Sequence, residues 1–139
     1  MIRVETFDPE VCEVVQDALN ALTLRFPLAS FSILGDAVIV ASRDDIHTMC
    51  TNGRYIWVAP SWVQAKGQDD IMFDLLHEWF HIFYNHVRRR GDRDPQVWNT
   101  AADIIVVSEC VTTLTTPSEV FKVPEDGVQI PLWYSKTMT

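Results

Sequence analysis

Cysteine is scarce: Cys12, Cys50 and Cys110 are the only three in 139 residues. Their number is odd and no CxxC occurs, which excludes a disulfide framework and points to reduced thiols. Cations are also in short supply. Eleven Lys and Arg face 19 Asp and Glu, a formal net charge of −8. That balance argues against nucleic acid as the main partner and against an anionic membrane surface. No apolar run approaches the roughly 20 residues that a membrane-spanning helix needs. Met1-Ile2-Arg3-Val4-Glu5 lacks the apolar core of a signal peptide, so a cytoplasmic location is expected. Internal repeats and low-complexity tracts are missing as well.

What is present is enough for a packed core. Hydrophobic residues make up 47% of the chain, and the length fits one domain over residues 1–139. Asp8-Pro9 caps and opens a first helix, in which Val11, Val14, Val15, Ala18, Leu19 and Leu22 recur at helical spacing. Pro27 stops it near Phe26. The period then changes. Phe31–Leu34 and Ala37–Val40 read as strands around Gly35-Asp36, and Tyr55–Val58 follows a turn at Thr51-Asn52-Gly53-Arg54. Pro60 ends that strand; Ser61 caps a short helix through Lys66, and Gly67 closes it. Asp69 or Asp70 caps a long helix running to about Arg89. Its apolar residues surround most of the circumference, which makes it central and buried. Arg88-Arg89-Arg90 complements its C-terminal dipole, and Gly91 ends it. Pro95 opens the last helix, to about Thr113. From about residue 114 the chain is irregular, with a short strand at Val128–Leu132. The order of elements gives an α+β domain.

The central helix carries His77-Glu78-Trp79-Phe80-His81, an HExxH pattern. Residues four apart on a helix differ by about 40° around its axis, so both imidazoles can reach one Zn²⁺. Glu78 follows the first ligand directly and can accept a proton from water activated by the metal without ligating it. With four His in the chain, the pattern arises by chance roughly 0.006 times per sequence of this composition. Its position in an otherwise apolar helix adds weight, because buried polar groups without partners are costly.

A catalytic zinc needs a third protein ligand and an open position. His86 is nearest in sequence, but on a continuous helix it lies about 140° from His81 and points away. No glycine stands between them to break the helix. The next helix offers Trp98-Asn99-Thr100-Ala101-Ala102-Asp103. Asp103 lies in the apolar run 101–107, where a carboxylate needs a cation, and Ala101 and Ala102 permit close helix approach. Asp103 is the preferred third ligand and His86 the alternative. Asn99, one turn before Asp103, suits an orienting role toward a ligand or substrate, and His86 and Tyr55 are further candidates for supporting a ligand or contacting substrate.

The stretch from Asn52 to Val107 resembles a family of zincin metallopeptidase domains that often precede a von Willebrand A-like domain. The matching pieces are Asn52-Gly53-Arg54-Tyr55, the HExxHxxxxH run from His77 to His86, the Arg-rich turn Arg88 to Pro95, and Trp98-Asn99-Thr100-Ala101-Ala102-Asp103. The resemblance implies a zincin-like fold. In it a small, mostly antiparallel sheet packs on the HExxH helix, and a ligand-bearing helix follows. It supports Asp103 as a zinc ligand, and similar architecture occurs in ImmA/IrrE-type metallopeptidases. No von Willebrand-like segment lies within these residues, so a partner protein would be expected in trans.

The expected activity is zinc-dependent hydrolysis of peptide bonds in a protein or peptide substrate. His77, His81 and Asp103 would hold the metal, and Glu78 would be the general base. Tyr55–Val58, the strand before the helix, is expected to form the cleft rim on which an extended substrate pairs. His86, Tyr84 and Tyr134 are candidate oxyanion donors. The alternative is a zinc-stabilised binding or regulatory module, an adaptor or inhibitor without turnover. The presence of Glu78, which a pure scaffold does not need, favours chemistry.

Overall fold

A computed structural model describes residues 3–5, 8–25, 39–119 and 121–124. The expected strands at 31–34 and 37–38, the segment 128–132 and Tyr134 lie outside them. The described elements are β1 (Arg3–Glu5), α1 (Pro9–Arg25), β2 (Ile39–Ser42), β3 (Met49–Thr51) and β4 (Tyr55–Val58). These are followed by α2 (Pro60–Ala65), α3 (Gln68–Phe83), α4 (His86–Arg89) and α5 (Pro95–Leu114).

Local chemistry accounts for most boundaries. Asp8 Oδ1 accepts from the Glu10 amide at 2.9 Å, capping α1. Pro60 sits in the first turn of α2 rather than ending β4 alone, because its fixed φ suits that turn; Ala59, not Ser61, is the N-cap. Gly67 is the N-cap of α3 instead of the end of α2. Asp69 and Asp70 then lie in the first turn of α3, where the helix dipole favours acidic groups. Asp94 Oδ1 accepts from the Gln96 and Val97 amides, both at 3.0 Å, and Pro95 opens α5 behind it.

The sheet order is β1-β2-β4-β3. β1 pairs parallel with β2, and β2 parallel with β4, with Val40 opposite both Val4 and Ile56. Only β3 and β4 are antiparallel, joined by the turn at 52–54. There Asn52 Oδ1 accepts from the Arg54 and Tyr55 amides at 3.0 and 2.8 Å, and Gly53 takes φ +99°. The sheet is therefore mixed, which corrects the expectation of a mostly antiparallel one. Helix α1 lies between β1 and β2 in sequence, so those two strands can run in the same direction.

Helix α3 is central, as its apolar circumference predicts. Ile71, Met72, Phe73, Leu75, Leu76, Trp79 and Phe80 are buried, and α3 contacts α1, α5, β3 and β4. Each large apolar side chain fully buried there contributes roughly 1.5–3 kcal/mol. Past α5, Phe121 stacks on Phe73 with ring centroids 5.7 Å apart. Residues 115–124 carry no helix among the described positions, only a bridge between Thr116 and Glu119. Among the described residues no helix is long and apolar enough to cross a membrane.

The long helix does not run to Arg89. It ends at Phe83, and Asn85 takes the left-handed conformation, φ 57° and ψ 38°. The chain then turns through the short α4. Asparagine tolerates this conformation better than other non-glycine residues, so it breaks the helix where no glycine is present. Arg89 donates to the Tyr84 carbonyl at 3.0 Å, serving the end of α3 as the arginine run suggested.

Candidate metal centre

Three side chains converge where α3 and α5 approach. His77 Nε2 lies 3.1 Å from Asp103 Oδ1, His81 Nε2 lies 2.9 Å from the same oxygen, and the two Nε2 atoms are 3.0 Å apart. The one-turn spacing on α3 aims both rings at one point, and α5 brings the carboxylate to it. Ala102, beside Asp103, is buried and small enough for the helices to meet. Among the described residues these three form the group of His, Cys, Asp and Glu side chains able to hold a metal ion.

Their donor atoms fit a zinc ion. Tetrahedral coordination with bonds of 2.0–2.2 Å puts ligand atoms about 3.3–3.6 Å apart, a few tenths of an ångström beyond the 2.9–3.1 Å found. Hydrogen bonding alone serves the cluster poorly. Each neutral imidazole carries one N–H, so if both donate to Asp103 the two nitrogens 3.0 Å apart face each other with no lone pair to bridge them.

The electrostatics agree. Burial works against ionising Asp103, but hydrogen bonds and charge from His77 and His81 outweigh it and hold the carboxyl below the ordinary range. Glu78 behaves in the opposite way. Burial, opposed by His81 but reinforced by the Asp103 and Asp74 carboxylates, raises it to about 7. A carboxyl poised there exchanges protons readily near neutral pH.

Glu78, His81 and Asp103 line a cleft of about 210 Å³ together with Met49, Cys50, Thr51, His86, Val87, Trp98, Asn99 and Ala102. Asn99 is thus at the cleft, and exposed. Tyr55 is not among its lining residues; its ring stacks on Trp57 at 5.5 Å. Tyr84 stacks between Phe80 and His86 at the end of α3, outside the lining. His47 is exposed and Cys110 buried.

Two expectations are corrected. His86 does not point away from His81: the break at Asn85 returns it, and its Nδ1 lies 3.0 Å from His81 Nδ1. The strand along the cleft is β3, not Tyr55–Val58, because β4 is paired on one side by β2 and on the other by β3. Residues 49–51 gave no strong sequence signal, being a strand of only three residues, but their position just before an Asn-Gly turn marks the first arm of a hairpin.

No curated protein and no solved structure matches the chain. A family model described as "Putative metallopeptidase domain" matches residues 6–119, a span that contains the whole site, and the chain belongs to that family.

Proposed function

We propose that this protein is a zinc-dependent peptidase in which His77, His81 and Asp103 hold the metal and Glu78 is the general base. The observation that carries this reading is the convergence of two imidazoles and a carboxylate within 2.9–3.1 Å, with a glutamate that shares a cleft with His81 and Asp103. A bound zinc supplies Lewis acidity to a substrate carbonyl and to water. Glu78 takes the proton from the attacking water and passes it to the departing amine nitrogen. Its place in the cleft beside His81 and Asp103 allows it to do both. The substrate is a protein or peptide in extended form. It lies along β3, the last strand in the described sheet order, and faces Trp98 and Asn99 at the start of α5.

The test is turnover of a quenched peptide library by wild type and Glu78→Gln, each with its zinc content measured. Glu78→Gln is expected to keep the metal and lose about 10²- to 10⁴-fold in rate. Loss of zinc from Glu78→Gln would overturn the role given to Glu78. A zinc-loaded wild type that cleaves no peptide would leave the binding-module alternative.

A further inference from the structure

His86 is fully committed by the fold, yet it is not one of the three converging ligands. Its side chain is buried, only 6% exposed. Its backbone carbonyl accepts from Trp98 Nε1 at 2.9 Å and from the Arg90 amide at 3.2 Å. Its ring packs against Tyr84 at 5.5 Å and Trp98 at 6.0 Å. These contacts aim its Nδ1 at one atom, Nδ1 of His81, at 3.0 Å.

We propose that His86 is a positioning residue for the metal centre. It accepts a hydrogen bond from His81 Nδ1–H and so fixes His81 as the tautomer whose Nε2 lone pair is free to ligate. This rests on the reading of His77, His81 and Asp103 as the metal ligands.

A neutral imidazole has a single N–H. His81 Nε2 faces His77 and Asp103, so ligation there places the proton on Nδ1. The atom opposite is His86 Nδ1, and two facing nitrogens at 3.0 Å hold only one proton between them. His86 must therefore carry its own proton on Nε2, which the cleft can accommodate, since His86 lines it. Metal-ligating histidines generally donate their second N–H to a carboxylate, a carbonyl or water. Here a second imidazole takes that place, supplied by a break in the ligand-bearing helix itself. The left-handed Asn85 and the Trp98 hydrogen bond are the two devices that hold it.

The experiment uses the whole chain, ¹⁵N-labelled at histidine and loaded with zinc. Long-range ¹H–¹⁵N spectra of wild type are expected to show His81 protonated at Nδ1, His86 protonated at Nε2, and a coupling across the hydrogen bond between the two Nδ1 atoms. Competition titrations with a zinc chelator then compare His86→Leu with His86→Asn, whose carbonyl oxygen stands as many bonds from Cα as Nδ1 does. His86→Leu is expected to weaken zinc binding about 10- to 100-fold, and His86→Asn to recover most of that loss. Equal weakening in both variants, or none in either, would overturn the positioning role while leaving the metal centre intact. So would His86 protonated at Nδ1 or bound to the metal. A wild type that takes up no zinc would overturn the metal centre and this role together.

Discussion

At the scale of single residues, Glu78 and Asp103 are carboxylates driven in opposite directions by one site. Asp103 has two imidazoles within 3.1 Å and stays ionised. Glu78 is raised to about 7, chiefly by burial. The sign of its effect on metal-free stability follows. Unfolded, a glutamate releases its proton near pH ~4.3, whereas the folded protein holds it to about pH 7. Between those values the folded state binds more protons, so the contribution of Glu78 to stability falls as pH rises. In chelator-treated protein, Glu78→Gln is therefore expected to gain on wild type by up to about 3 kcal/mol between pH 4 and 8. Urea unfolding at both ends of that range checks this, and a gap that does not widen with pH would contradict it. The convergence of His77, His81 and Asp103 was legible in the sequence for definite reasons. One-turn spacing is arithmetic on any helix, and a carboxylate within the apolar run 101–107 needs a cation. His86 was a candidate from the sequence, but its direction was not legible, because that depends on the backbone conformation at Asn85.

At the scale of elements, that angle decides the site's shape. Only a break between Phe83 and His86 lets a histidine five residues past His81 face back toward it. Asn85→Gly, which suits positive φ, should keep stability and zinc affinity close to wild type. Asn85→Ala should cost about 1–2 kcal/mol and loosen zinc binding as His86 loses its aim. Thermal unfolding and zinc titration of the two variants check both; equal behaviour would mean that the break is held by the contacts of α4 alone. The sheet carries a similar lesson. The strand Tyr55–Val58 was readable from its residues, but its place inside the sheet was not. Strand order depends on which strands pair across long stretches of chain, and here β2 pairs parallel with β4 while β3 takes the outer position. Helices were easier to place. Asp8-Pro9 and Pro95 marked two helix starts, and α1 and α5 begin at Pro9 and Pro95.

At the scale of the molecule, His77, His81 and Asp103 come from helices joined only by α4 and the Arg-rich turn. A metal held by them would pin α3 to α5, and α3 in turn contacts α1, β3 and β4. A metal bound only by the folded state stabilises it by mass action, about 4 kcal/mol at a free concentration a thousand times the Kd. Chelation is accordingly expected to lower the melting temperature, reversibly on adding zinc back. The α+β class and the helical framework followed from periodicity and caps, whereas the mixed sheet did not, since parallel pairing leaves little trace in strands of three or four residues.

The proposed peptidase requires one zinc held by His77, His81 and Asp103. Elemental analysis of purified wild type beside His81→Ala and Asp103→Ala tests it most directly. The expected result is about one zinc per wild-type chain and little or none in either variant. A folded wild type that contains no zinc and takes up none when it is added would contradict it.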